Sequence, residues 1–88
     1  MILLVQKSFE KDILKVTDKK IAGQLKSIIA ELEACKTVSA IRNLKKMTGK
    51  GNYYRIRLGN FRIGVKIESD TIYLLRFMNR KEIYKYFP

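Results

Sequence analysis

The chain has 88 residues, of which 47% are hydrophobic and 31% charged, and this balance is typical of one small folded domain rather than of a disordered segment. It contains no histidine and a single cysteine, Cys35, which excludes an internal disulfide, a histidine-based catalytic triad and a zinc site. We therefore expect a single domain over residues 1–88 that uses neither a metal nor another cofactor.

Positive charge dominates the composition, with 19 Lys and Arg against 8 Asp and Glu and a net charge of +11. Residues 42–88 carry twelve basic and three acidic side chains, whereas residues 1–41 carry seven and five. This asymmetry predicts a polyanionic partner, with nucleic acid as the first interpretation and an acidic protein as the alternative. The longest apolar run, residues 1–5, is far below the roughly 20 residues that a membrane span needs, so we expect a cytoplasmic protein without a membrane partner.

The first half of the chain predicts a strand and a helical hairpin. Residues 1–6 have strand character, and Ser8 is a plausible N-cap for a first helix, with Thr17 or Asp18 as the cap of a second. Apolar residues recur at helical spacing in both helices: Phe9, Ile13 and Val16 in the first, and Ile21, Leu25, Ile28, Ile29 and Leu32 in the second.

The second half predicts an antiparallel meander. Residues 35–50 are interpreted as a connector that lays Val38, Ile41, Leu44 and Met47 on the core, and residues 48–52 form a turn cluster. The period then changes to two, which predicts strands at Tyr53–Leu58, Phe61–Glu68 and residues 71–78. Residues 80–87 are predicted to form a short C-terminal helical turn. The expected fold class is α+β, with the strand and helical hairpin packed on an antiparallel sheet of about four strands.

The two-residue turn Gly59-Asn60 fixes the register of the central hairpin. It places Arg57 opposite Arg62, Arg55 opposite Gly64 and Tyr53 opposite Lys66, all on one face of the sheet. The other face is apolar and can pack on the helices. Because like charges directly opposite each other are destabilising, the arginine pair favours an anion between its members, and the glycine predicts a hollow beside Arg55. A solvated, edge-protecting cationic face is the alternative.

The same alternation, continued into the third strand, predicts Tyr73, Leu75 and Phe77 on the arginine face and Arg76 on the apolar side near its rim. In the tail, Arg80, Lys81 and the aromatic residues fit either of two interpretations. They could anchor a closing turn to the sheet, or they could bring Arg80 and a tyrosine to the edge of the cationic face.

Residues 54–62, YRIRLGNFR, and residues 79–84, NRKEIY, resemble the RelE/ParE superfamily of bacterial type II toxin–antitoxin toxins. Members often contain the pattern Y-R-I-R-x-G-x-[YF]-R and end in H-R-x-x-[VI]-Y. The match extends over residues 44–84, and the strand, hairpin and connector before it are what that fold expects, so the resemblance implies a RelE-like microbial RNase fold. Asn79 stands where many relatives have histidine, which removes any acid role of that histidine.

The resemblance implies a set of site residues. In RelE-like members, basic residues on the central strands and before the tail hold the scissile phosphate, and a tail tyrosine assists proton transfer. The expected catalytic residues are Arg62, Arg80 and Tyr86. The expected RNA- and phosphate-binding residues are Arg55, Arg57, Lys66, Lys81 and Tyr84, and Tyr84 could exchange roles with Tyr86.

RelE-like members cleave messenger RNA in the ribosomal decoding site, whereas ParE-like members inhibit DNA gyrase without cutting RNA. Arginines on paired strands with a tail tyrosine favour a ribosome-dependent endoribonuclease, which would act by metal-independent attack of a ribose 2′-hydroxyl. A gyrase inhibitor and a non-toxic binding module are the alternatives. The expected partners are messenger RNA on the ribosome, including the decoding site of its 16S rRNA, and a cognate antitoxin that covers the cationic face or displaces the tail.

Overall fold

The computed structural model describes residues 1–49 and 51–88, so that Lys50 of the predicted turn cluster lies outside the described residues. The elements in chain order are β1 (Ile2–Val5), α1 (Lys7–Ile13), α2 (Lys19–Ala34), a 3₁₀ turn (Val38–Ala40), β2 (Leu44–Lys46), β3 (Tyr53–Leu58), β4 (Phe61–Glu68), β5 (Thr71–Asn79) and α3 (Arg80–Tyr86). Within these ranges, no helix is both long and apolar enough to cross a membrane.

The strands form one mixed sheet in the order β1-β5-β4-β3-β2. The predicted α+β class is confirmed, and so are the three central strands, with β5 one residue longer than predicted. The sheet has five strands where about four antiparallel ones were expected. The extra strand, β2, lies inside the predicted connector and pairs antiparallel with β3, and β1 pairs parallel with β5. A strand of three residues is too short to show an alternating pattern, which is why the sequence did not reveal it.

The helical hairpin covers one face of the sheet, as predicted. Asp18 caps α2, and its Oδ1 accepts hydrogen bonds from the backbone N–H groups of Lys20 and Ile21 at 2.9 and 3.3 Å. Ser8 is not the N-cap of α1, because that helix already begins at Lys7, and the Ser8 hydroxyl donates instead to the carbonyl of Leu75. Fully buried residues from both layers form the core: Phe9, Leu32, Ile56, Ile63, Val65, Ile72 and Leu74.

A β-bulge in β5 changes the predicted third strand. Leu74 pairs with Val65 but Arg76 pairs with Gly64, so Leu75 has no partner on β4. As predicted, Leu75 packs on the α3 side of the sheet and Arg76 lies toward the helices. Phe77 was predicted on the arginine face, and this is wrong. The extra residue interrupts the alternation, so that Phe77 is buried in the helix-side core.

A buried ion pair joins α1 to the bulge. The Asp12 carboxylate accepts hydrogen bonds from Arg76 Nε at 2.7 Å, from Arg76 Nη2 at 3.2 Å and from the backbone N–H of Phe77 at 2.9 Å. Asp12 is only 7% exposed. Three hydrogen bonds compensate the cost of burying this charge, and they hold the irregular strand against α1.

Replacing Asp12 by asparagine should lower the free energy of unfolding by about 3 kcal/mol, because it leaves a half-buried arginine without its countercharge. Urea denaturation followed by far-UV circular dichroism measures this loss. The matched control is Glu68→Gln, which breaks an exposed ion pair with Lys66 and should leave the free energy of unfolding nearly unchanged. Equal losses in the two variants would contradict the assigned role of Asp12.

Candidate active site

A cleft of about 420 Å³ lies between β2, β3, β4 and α3, and we call it the cationic cleft. It is lined by Asn43, Leu44, Lys45, Arg55, Arg57, Arg62 and Tyr84. None of these lining residues is acidic, so four positive charges face one another without a carboxylate among the described residues of the cleft wall. A cleft of this composition favours an anionic ligand.

The hairpin register predicted from the sequence is confirmed, with Arg57 opposite Arg62 and Arg55 opposite Gly64. Arg62 is only 9% exposed. Its Nη1 donates to the carbonyl oxygens of Gly59 at 2.9 Å and Phe61 at 2.8 Å. These two bonds use one nitrogen of the guanidinium and fix its plane, which leaves Nε and Nη2 for a ligand.

The electrostatic environment of Arg62 disfavours its own charge. Burial lowers the pKa of the Arg62 guanidinium, nearby Tyr84 opposes this shift, and the positive charges of Arg80, Arg55 and Arg57 add to the lowering. Arginine nevertheless stays protonated at neutral pH. In the free protein these arginines therefore repel one another, and a bound phosphate would offset this repulsion.

Tyr84 is the tail tyrosine that meets the arginines. The guanidinium carbon of Arg55 lies 4.9 Å from the centroid of the Tyr84 ring, within the range of a cation–π contact. The Tyr84 side chain remains exposed, so its hydroxyl is accessible to a ligand in the cationic cleft.

The hollow predicted beside Arg55 is not open. The ring of Phe87 occupies it, so close that a β-carbon added to Gly64 would come within 2.8 Å of two ring carbons. Sequence reasoning missed this contact because nothing in the pattern of a strand glycine indicates which side chain packs over it.

Arg80 lines a second and larger cleft, of about 1130 Å³, between α2 and the hairpin, and Arg57 and Arg62 line both clefts. The backbone N–H of Arg80 donates to the carbonyl of Asn60 at 2.8 Å, which ties the start of α3 to the hairpin turn. Arg57 and Arg62 therefore lie where the two clefts meet.

Three predicted site residues lie elsewhere. Lys66 donates to the Glu68 carboxylate at 2.6 Å, and this hydrogen bond raises the pKa of the Lys66 amine. Tyr86 lines a separate cleft that includes Asp12 and Arg76, and Lys81 lies exposed on α3. The structure thus brings Arg55, Arg57, Arg62 and Tyr84 together in the cationic cleft and places Arg80 in the adjoining larger cleft. It leaves Lys66, Lys81 and Tyr86 outside both clefts. Sequence reasoning also missed Lys45, which joins the cleft by pairing with Arg55 across the unpredicted strand β2.

Comparisons with known proteins agree on one family. Residues 3–84 match the family described as ParE toxin of type II toxin-antitoxin system, parDE. Toxin RelE3 of Methanocaldococcus jannaschii is 43% identical to this chain over an alignment 89 residues long, which covers 100% of each chain.

Solved structures show the same fold. The RelB-RelE antitoxin-toxin complex from Methanococcus jannaschii contains a chain that is 41% identical, with a TM-score of 0.82 and coverage of 97% of this chain and 99% of that one. A chain of the RelBE2 toxin-antitoxin complex from Mycobacterium tuberculosis is 17% identical, with a TM-score of 0.69 and coverage of 90% and 96%. The family match over residues 3–84, the 43% identical relative and the 41% identical solved structure show that the chain belongs to the RelE/ParE superfamily of type II toxin–antitoxin toxins.

Proposed function

We propose that this chain is a ribosome-dependent mRNA endoribonuclease that arrests translation, and that the cationic cleft is its active site. One observation carries the proposal. Arg62 is buried with its guanidinium fixed by two carbonyls, next to Arg57, Arg55 and a tyrosine hydroxyl, in a cleft whose described walls contain no carboxylate. Donors that are fixed before the substrate arrives are what stabilises charge in a transition state most effectively.

The proposed reaction is an internal phosphoryl transfer within the RNA. The ribose 2′-oxygen forms a bond to the neighbouring phosphorus and loses its proton, while the bond from phosphorus to the 5′-oxygen breaks and that oxygen gains a proton. The products are a 2′,3′-cyclic phosphate and a 5′-hydroxyl. Arg62 and Arg57 donate to the non-bridging oxygens, on which negative charge increases, and each such donor contributes roughly 10²- to 10³-fold in rate.

Proton transfer is assigned to Tyr84 rather than to Tyr86: the Tyr84 phenol gives a proton to the departing 5′-oxygen, and the proton lost by the 2′-hydroxyl restores the phenol. Tyr84 lines the cationic cleft, whereas Tyr86 lines a different one. The Arg55 guanidinium contacts the Tyr84 ring, and Arg80, in the larger cleft, can bind a phosphate that flanks the scissile one. The ribosome would supply the remaining orientation of the messenger RNA.

Two partners accompany this proposal. The similar chains from Methanococcus jannaschii and Mycobacterium tuberculosis are both found in toxin-antitoxin complexes. By this likeness a cognate antitoxin binds the present chain, and we propose that it places acidic side chains against the cationic cleft or displaces α3. The second partner is the decoding site of the ribosome with its messenger RNA.

A second candidate is inhibition of DNA gyrase, which the ParE description of the matching family favours. The purified protein can be tested in two parallel assays: one with a messenger RNA bound to ribosomes, and one with gyrase and relaxed plasmid. We expect cleavage of the RNA with supercoiling unaffected. Intact RNA together with inhibited supercoiling would reverse the assignment.

A further inference from the structure

The C-terminal helix α3 is fastened to the sheet at its two ends by different contacts. At its start, the Asn79 side chain accepts a hydrogen bond from the Glu82 backbone N–H at 2.9 Å, and the Arg80 N–H donates to Asn60. At its end, Ile83 and Phe87 are buried, 0% and 5% exposed, in a small cluster with Met78. A helix of seven residues is not stable alone, so these anchors determine where it lies.

Phe87 approaches the sheet at a position that only glycine permits. A β-carbon at Gly64 would lie 2.8 Å from Cδ1 and Cε1 of the Phe87 ring and 2.9 Å from Cγ, closer than any real side chain allows. The φ angle of Gly64 is not in the left-handed region, so the backbone itself does not require glycine there. The glycine is needed for the ring, which also packs edge-to-face on Tyr53 with centroids 5.6 Å apart.

The contact lies directly beside the candidate active site. Gly64 pairs with Arg55 across the hairpin, and Arg55 is the residue that contacts the ring of Tyr84. Tyr84 follows one anchor, Ile83, and precedes the other, Phe87, by three residues. Because Tyr84 is 58% exposed, its side chain makes few contacts that could fix its position.

We infer that Phe87, packed into the notch at Gly64, is the positioning residue that holds the Tyr84 hydroxyl in the cationic cleft. The inference rests on the proposed function for the chemistry of Tyr84, but the placement itself can be measured without any activity. When Phe87 leaves the notch, the last turn of α3 loses its anchor and Tyr84 separates from Arg55. Phe87 itself touches no reacting atom.

The test uses the full chain with 3-fluorotyrosine incorporated at position 84 and read by ¹⁹F NMR. Arg55→Gln provides the reference resonance of a Tyr84 ring that lacks its arginine. Phe87→Ala should move the resonance to that reference position and accelerate amide exchange at the end of α3 about tenfold or more, while amides of β4 and β5 keep their exchange rates. Phe87→Leu, which still fills the notch, should restore most of the native signal.

Gly64→Ala should produce the same shift as Phe87→Ala, because the added methyl group expels the ring. In a chain that already carries Phe87→Ala, the same glycine substitution should add less than about a twofold change in exchange, since no ring remains to be expelled. The matched control is Gly23→Ala, on the exposed side of α2 with no atom near the new methyl group, and it should leave the Tyr84 resonance unchanged.

In ribosome-dependent cleavage, Phe87→Ala should lower kcat about tenfold or more with KM nearly unchanged, because substrate binding by the arginines persists. A native Tyr84 resonance in Phe87→Ala would overturn the inference. A native kcat beside a shifted resonance would confirm the placement and overturn the catalytic role assigned to Tyr84 under the proposed function. Absence of cleavage by the wild-type protein would instead overturn the proposed function, while the resonance would still decide whether Phe87 positions Tyr84.

Discussion

Replacing Arg62 by lysine should lower the rate of ribosome-dependent mRNA cleavage about 10²- to 10³-fold, although the charge is retained. The guanidinium of Arg62 uses Nη1 for the carbonyls of Gly59 and Phe61 and keeps two further nitrogens for a phosphate. An ammonium group has a single nitrogen and cannot bind the turn carbonyls and hold two phosphate oxygens in one plane. The expected loss is therefore in kcat more than in substrate binding, and single-turnover cleavage on programmed ribosomes measures it.

The matched control is Lys26→Ala on the exposed surface of α2, which removes one positive charge from a residue that lines neither cleft and should keep cleavage within about twofold. Circular dichroism should show the same fold in both variants. Wild-type rates in Arg62→Lys would show that the fixed guanidinium is not part of the chemistry, and that only net charge matters.

Replacing Tyr84 by phenylalanine should reduce kcat about 10²-fold or more, because it removes the only tyrosine hydroxyl found in the cationic cleft among the described residues. The ring remains, so the contact with Arg55 and the packing of α3 are preserved. The KM for programmed ribosomes should change little. Cleavage assays over a range of substrate concentrations separate these two effects.

The control for Tyr84→Phe is Tyr86→Phe, which removes the hydroxyl of the other tail tyrosine. Tyr86 lines a cleft with Asp12 and Arg76, outside the cationic cleft, and its hydroxyl should be dispensable. A large loss in Tyr86→Phe with full activity in Tyr84→Phe would restore the assignment that the family resemblance first implied, and it would require α3 to rearrange on the ribosome.

The central hairpin could be predicted almost completely from the sequence. A two-residue turn and a period of two determine which residues oppose one another, and so Arg57 and Arg62 meet as the alternation predicted. The helical hairpin followed in the same way from its apolar spacing and from the cap at Asp18. These features are local, and local rules are sufficient for them.

The remaining features depend on contacts between distant parts of the chain. The bulge at Leu75 is fixed by Asp12, more than sixty residues earlier, through Arg76 and the N–H of Phe77. The choice between Tyr84 and Tyr86 depends on where α3 is anchored, which is set by Phe87 on Gly64. No periodicity in the sequence encodes either contact, because each one pairs a single residue with a single distant partner.

The central claim, that the cationic cleft cuts messenger RNA on the ribosome, is tested most directly by primer extension on cellular messenger RNA after brief expression of the wild-type chain and of Arg62→Lys. New 5′ ends in phase with codons are expected for the wild type and none for the variant at equal protein level. Intact messenger RNA in wild-type cells whose growth has stopped, accompanied by DNA damage, would contradict the claim.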